Sequence, residues 1–529
     1  MTRALSADRS GETIRKQAVE GLELTRSRPL PASPSAQNHE PGEYSLRMLN
    51  YRHNPPKLMP LTEAPDAEPS SGDRRPTVCG LLHSFRTGSR TPSQALAEYL
   101  ARWNDSPSTE SAILAAIPGA AEAALRSDRR WEEGTARPLE GIPFGVKDII
   151  DVRGAAVTCG SLQTGDRIAE SDAEVINRLR AAGAIPVAMT ATTEFAMGAA
   201  HNVRYGVVPN PWGKDRWTGG SSTGSGAGLA AGLFPFALGT DTGGSIRIPA
   251  AFCGVTGLKP TNGRVPRTGV ATLSWSLDHV GPMGLSASDL RLVLQAMDGQ
   301  ASAGKRNAPS KPLEGVTLGV LGGWHEEPID AEVAASFASA LDTLRSLGAT
   351  VKRLETPRYE PALAHVEAWN VFYGEVAATQ EANLATIHLY DSGSRDRFEE
   401  GRRVAAIDYI RGLRRRADVL NSLIEPMDKA DADFLVLPTT LAAAPQLSDM
   451  TMSVNGTSTN IHDILPRNTR IFDYTGLPAL ALPMGFNSNG LPLSLQIAGR
   501  PWSDFDVLAV GEAFQSITAY HLQSPPEAC

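Results

Sequence analysis

The chain has 529 residues, 41% of them hydrophobic and 20% charged, enough apolar material to bury one large core or several small ones. Its 50 Lys and Arg against 58 Asp and Glu give a net charge of −8, which argues against a general nucleic-acid binder with a basic stripe. Cys79, Cys159, Cys253 and Cys529 form no CxxC pair, the ten histidines show no HExxH, and no apolar run approaches the roughly 18–20 residues of a membrane helix. Met1–Ser10 lacks the apolar core of a secretory signal, so the expectation is a cytoplasmic protein with no metal or other cofactor.

Residues 1–76 hold ten prolines, from Pro29 to Pro76, and little periodic apolar pattern. Proline removes backbone donors and restricts its neighbours, so this stretch reads as an extension, poorly ordered or draped over the body, with a short helix near Thr13–Leu24. Regular structure is predicted from Thr77. Thr91-Pro92 starts a helix with Leu96, Leu100 and Trp103 on its apolar stripe. Ile142–Ile149 and Ala184–Thr190 read as strands, with a helix over Asp172–Ala182 between them. Further strands are predicted at Phe234–Gly239, Thr317–Leu321, Phe434–Pro438, Leu480–Phe486 and Leu493–Ala498. Helical periodicity marks Asp330–Leu347 and Arg403–Asn421, and Arg411, Arg414, Arg415 and Arg416 read as a solvated helix face. This alternation predicts an α/β fold: one large layered domain over residues 77–523, with a mixed central sheet covered by helices on both faces and a tail at 524–529.

The segment from Trp217 to Pro260 reads WTGGSSTGSGAGLAAGLFPFALGTDTGGSIRIPAAFCGVTGLKP. Two Gly/Ser clusters flank a small-residue helix, Ala227–Gly232, and a hydrophobic strand. Glycine lets amide N–H groups approach a ligand closely, and in GTDTGGS the Ser245 hydroxyl ends a run of such amides. That pairing suits a nucleophile beside an oxyanion hole. A phosphate loop is disfavoured because GxxxxGK[ST] is absent. Gly220-Ser221-Ser222-Thr223-Gly224 satisfies GxSxG, the α/β-hydrolase elbow, yet a turn-rich loop, Asn210–Asp215, precedes it where an elbow needs a strand. None of His279, His462 and His521 has the context of a triad partner.

GGSSTGSGAG followed by GTDTGGSIRIPAAFCGVTGLKPTNGRV resembles the signature of the amidase signature enzymes. Ser221 and Ser245 are 24 residues apart, as in that family's serine pair, and Gly141–Asp148 (GIPFGVKD) is similar to its lysine strand. Thr193–Gly198, Asn210–Trp212, Ser276–Pro282, Tyr474–Ala479 and Gly490–Gln496 continue the match in the family's order, over roughly residues 77–520. The resemblance implies a Ser-cisSer-Lys triad. Ser245 is then the nucleophile, Ser221, which in the family precedes a cis peptide bond, the proton relay, and Lys147 the base. Thr242, Gly243 and Gly244 are the implied oxyanion hole, and Met197 and Trp275 the candidate substrate contacts. Asp241 and Arg247 are expected to hold the loop by charged hydrogen bonds. Thr223, Thr218 and Asp473 depart from the family's usual glycine, proline or valine, and asparagine.

The implied activity is hydrolysis of a small-molecule carboxylic amide through an acyl-serine. Trp369, Phe372, Tyr373, Tyr390, Phe398 and Tyr409 suggest an apolar or aromatic acyl or amine group. The expected partners are that substrate and at most a second copy of the chain, with neither nucleic acid nor membrane. Two alternatives remain, the A subunit of a glutamyl-tRNA amidotransferase using glutamine and a carbamate hydrolase. The long N-terminus and the unusual loop flanks rank a stand-alone hydrolase first.

Overall fold

The computed structural model describes residues 77–106, 109–197, 200–298, 312–355, 360–454 and 457–526. The proposed extension 1–76, its Thr13–Leu24 helix and the end of the 524–529 tail lie outside these residues, as does Cys529. Eleven strands build one sheet: β1 Ile113–Ala116, β2 Pro143–Lys147, β3 Ile185–Thr190, β4 Phe236–Asp241, β5 Thr256–Lys259, β6 His279–Gly284, β7 Thr317–Val320, β8 Thr350–Arg353, β9 Phe434–Pro438, β10 Ala479–Phe486 and β11 Pro492–Ala498. Their order across the sheet is β1-β3-β2-β4-β6-β5-β10-β11-β9-β7-β8. β2 runs parallel to both β3 and β4, while β4, β6, β5, β10 and β11 alternate antiparallel, so the sheet is mixed as expected.

The helices used below are α1 Pro92–Asp105, α2 Glu174–Ala181, α3 Thr223–Ala230, α4 Arg247–Cys253, α5 Pro361–Gln380, α6 Ala406–Ala430 and α7 Arg470–Thr475. α1 begins as predicted, with a Thr91–Gln94 capping box and Pro92 in the first turn, where its missing N–H removes nothing. Its buried face differs from the predicted stripe. Ala95, Leu96 and Tyr99 point inward, while Leu100 is exposed. The arginine face of α6 also needs correction, because Arg416 is buried and donates to the carbonyls of Tyr474 and Ser276.

β2 is the third of the eleven strands across the sheet, paired on both edges, and all five of its residues are buried. A strand covered on both faces shows a continuous apolar run rather than alternation, which is why Pro143–Val146 reads as it does. Phe144 and Phe236 stack at 4.8 Å between β2 and β4. Gly145 leaves room for Phe234, whose ring would lie 2.8 Å from an added Cβ. Lys147 closes this apolar strand at its C-terminal end, next to the end of β4, and that edge carries the site.

Candidate active site

α3 is built almost entirely from small residues, TGSGAGLA, and every one is buried. A Cβ on Gly224 would stand 2.3 Å from both the Ala112 carbonyl oxygen and the Ala191 nitrogen, and one on Gly228 would stand 2.4 Å from the Phe234 ring. Only a glycine helix can lie this close to its neighbours, and its N-terminus carries the first serine loop. The Gly220–Ser221 peptide bond is cis, so the bond lies before Ser221 rather than after it. The Ser221 carbonyl accepts from Thr193 N–H at 3.2 Å, and Ser222 N–H donates to the Ser245 carbonyl at 3.2 Å. Two loops separated in sequence are thereby clasped together.

Lys147 is fully buried, and its Nζ donates to Ser221 Oγ and to Thr240 Oγ1, each at 2.7 Å. Burial pushes its ammonium down from 10.5 to about 7, against the opposing pull of Asp241 and Asp278. A lysine neutral near pH 7 has a lone pair available, and its contact with Ser221 is the line along which a proton can pass. Ser245 is half-buried on the facing loop, and its hydroxyl has no hydrogen-bond partner among the described residues. Ser222, the serine of the GxSxG reading, is fully buried and bonded to the backbone of Thr240, so it cannot serve as an elbow nucleophile.

The Ser245 loop hangs on buried charges. Asp241 accepts from the amides of Gly244, Ile246 and Arg247 and from the Arg247 side chain, with Nε at 2.9 Å and Nη2 at 3.1 Å. Burial alone would raise the Asp241 carboxyl, but the Arg247 guanidinium holds it well below the usual carboxylate range. Arg247 also reaches Asp473 at 2.7 Å, Gln496 at 2.8 Å and the Thr469 carbonyl at 2.9 Å, so it ties the loop to α7 and β11. The expected anchoring roles of Asp241 and Arg247 match this geometry. Of the three expected oxyanion donors, the Gly244 amide is committed to Asp241. The amides of Thr242, Gly243 and Ser245 have no backbone or side-chain acceptor among the described residues.

A cleft of about 270 Å³ opens beside this loop, lined by Ile149, Thr240, Thr242, Leu273, Trp275 and Asp278 among others. Trp275 stands at its mouth, 43% exposed, whereas Met197 is buried and does not line it. Asp278 accepts from Thr242 Oγ1 at 2.7 Å and from the amides of Leu273 and Ser274, and burial raises its carboxyl to about 6. Thr469 and Arg470 lie beside this loop and carry no local signal, whereas Thr240 and Asp278 fall inside the GTDTGGS and Ser276–Pro282 stretches without a role of their own being legible there. Thr240 lies one residue before Asp241, while Thr469, which donates to the Gly243 carbonyl at 2.6 Å, arrives from 226 residues downstream. Among the described residues no group of three or more His, Cys, Asp or Glu side chains is placed to hold a metal, and no helix is long and apolar enough to cross a membrane.

Comparison with known proteins agrees with the geometry. The Amidase family's sequence model matches residues 94–508. The A subunit of the glutamyl-tRNA(Gln) amidotransferase of Chloroflexus aggregans is 34% identical over 490 residues, covering 85% of this chain and 98% of that protein. A crystal structure described as an amidase superposes with a TM-score of 0.77 at 29% identity, covering 83% of this chain and 99% of the other. A vestigial protein complex bearing on the origins of an s-triazine catabolic enzyme superposes with a TM-score of 0.76 at 30% identity, covering 83% and 98%. The expected partner set, a substrate and at most a second copy with no link to nucleic acid, is corrected by these relatives. One is a subunit named for a tRNA enzyme, and another was solved as a protein complex. With the family's pattern matched over most of its length and its fold reproduced, the chain belongs to the amidase signature family.

Proposed function

We propose that this protein cleaves a carboxylic amide through an acyl ester on Ser245, and that it does so as the amidase subunit of a larger assembly. The observation that carries the chemistry is a fully buried lysine amine 2.7 Å from Ser221. Ser245 Oγ adds to the amide carbonyl while its proton passes to Ser221 and that of Ser221 to Lys147. The developing oxyanion is met by amides of the Thr242–Ser245 loop, where one donor typically accounts for about 100–1,000-fold in rate. As the C–N bond breaks, the proton returns from Lys147 through Ser221 to the leaving nitrogen. Water then breaks the acyl ester and releases the carboxylic acid and Ser245.

The subunit reading was second to a stand-alone hydrolase on sequence grounds, and the relatives favour it. Similarity to the A component of an amidotransferase extends over 98% of that protein's length. In this reading the freed ammonia is handed to partner subunits that handle aminoacyl-tRNA. The test measures ammonia release from L-glutamine and from simple primary amides and carbamates, by the chain alone and with its co-purifying partners. Glutaminase activity that rises with partners supports the subunit reading. Full turnover of a plain amide by the isolated chain, unchanged by any partner, returns the assignment to a stand-alone amidase, and preferential carbamate turnover to a urethanase.

A further inference from the structure

Trp275 stands 43% exposed at the mouth of the cleft, and the backbone around it is tied down from two directions. From one, Asp278 Oδ2 accepts from the amides of Leu273 at 2.9 Å and Ser274 at 3.0 Å, and Arg267 Nη1 donates to the Trp275 carbonyl at 2.6 Å. From the other comes Glu375 of α5, which is fully buried. Its Oε2 accepts from Ser274 Oγ at 2.6 Å and from the Ser276 amide at 3.0 Å, so it grips the residues on both sides of Trp275. Glu375 Oε1 accepts from the Tyr409 hydroxyl of α6 at 3.1 Å. That hydroxyl is in turn the hydrogen-bond partner of the Trp275 indole. Gly374 makes room for the arrangement, since a Cβ there would lie 3.3 Å from the Tyr409 ring.

A buried carboxylate persists only where donors meet it, and here three do. What they fix is a tryptophan left half in water. A ring whose backbone and single polar atom are held before any ligand arrives loses little further freedom on binding one. We propose that Trp275 is the specificity residue of the cleft, a platform for a planar ring on the acyl group of the substrate, and that Glu375 and Tyr409 are its positioning residues. This rests on the acyl-serine reading above, with ammonia as the released amine whatever partner takes it, so the group in the cleft belongs to the acyl side. Thr242, from the loop that meets the oxyanion, lines the same cleft, and its volume of about 270 Å³ accommodates a ring. Val270, Leu273 and Val280 give it apolar walls, and offset stacking on an indole favours a flat group over a puckered one. The class of substrate is therefore an uncharged primary amide with an arylalkyl acyl group. Tyr409, expected to line the pocket, acts instead from behind Trp275.

The test measures how strongly phenylacetamide and cyclohexylacetamide, alike in carbon count, slow fluorophosphonate labelling of Ser245 in the wild type, Trp275→Ala, Tyr409→Phe and Glu375→Ala. The assay reads binding at the site and needs no turnover. Stacking of one aromatic ring on another should let the wild type bind phenylacetamide about 2–12-fold more tightly. That ratio should fall toward one in Trp275→Ala and Glu375→Ala and take an intermediate value in Tyr409→Phe, which keeps the ring beside Gly374 and loses only the hydroxyl. Thermal midpoints establish that the variants fold, and Tyr409→Phe carries the positioning test if Glu375→Ala does not. A wild type that labels at Ser245 but is protected equally by both amides, or by neither, overturns the inference. Folded Glu375→Ala and Tyr409→Phe proteins that bind both amides less well at an unchanged ratio overturn the positioning role and leave Glu375 as a structural group. A wild type that does not label at Ser245 overturns the acyl-serine reading itself.

Discussion

Lys147 lies on a strand otherwise made of proline, phenylalanine, glycine and valine, and this setting fixes its chemistry. Burial holds its folded-state pKa at about 7, below the roughly 10.4 of an unfolded chain. Acylation, which needs the neutral amine, should therefore rise about tenfold per pH unit below 7 and level off above it. A stopped-flow acylation profile that is flat from pH 6 to 10 contradicts the role. The same shift acts on stability. Between the two pKa values the unfolded chain binds the extra proton, so this group's penalty is full at pH 7 and below and fades as pH rises toward 10. Lys147→Met should thus raise the thermal midpoint near neutral pH, by an amount that shrinks at pH 10, while abolishing turnover. Lys259, also fully buried and pushed down to about 7 by burial, adds a penalty with the same pH dependence.

The departures from the family's motif also resolve at this scale. Thr223 Oγ1 donates to the Ala191 carbonyl at 3.0 Å and Thr218 Oγ1 donates to that of Val208, so each added hydroxyl is satisfied. Asp473 stands where asparagine is frequent. Burial and the nearby Asp241 charge push its carboxyl well above the usual range. Its Oδ2 accepts from Arg247 Nη2 at 2.7 Å, a bond that an asparagine carbonyl can accept as well. Asp473→Asn should change stability by less than about 1 kcal/mol, whereas Asp241→Asn, which strips Arg247 of its counter-charge, should lose about 3–5 kcal/mol. Chemical denaturation at pH 7 separates the two.

Among the elements, the strands with continuous apolar runs were readable from sequence. β2, β3, β9, β10 and β11 fall within a residue or two of their predicted positions because buried strands are apolar on both faces. β5 and β6 were not anticipated. Their sequences, TGLK and HVGPMG, mix glycine, proline, lysine and histidine, and only their place between β4 and β10 makes them strands. α5 was missed for a related reason: its apolar residues cover too much of its circumference to give a clean stripe. α3 was legible as a close-packed helix, and the reason is geometric. Gly224→Ala should destabilise the fold by at least about 1–3 kcal/mol, the usual penalty for overpacking, and lower kcat by shifting Ser221. A variant with unchanged thermal midpoint and kcat contradicts the close approach.

For the whole molecule, the lysine, the two serines and their loops were visible in one sequence because their motifs are local. The sheet then brings them together, with Lys147 on β2 and Thr240 and Asp241 at the end of β4. What sequence could not reveal was supplied from far along the chain. Asp473, Thr469 and Arg470 lie more than 220 residues beyond Ser245 and reach it only through the fold. Partners were also misjudged, because net charge reports on a protein's own surface and says nothing of the assemblies for which its relatives are named.

The most direct test of the central claim is peptide mapping by mass spectrometry after labelling the wild type and Lys147→Ala with a fluorophosphonate. A single adduct is expected on Ser245, forming rapidly above pH 7 and lost or greatly slowed in a folded Lys147→Ala protein. An adduct on Ser222 or another residue, or equal labelling with and without Lys147, would contradict it.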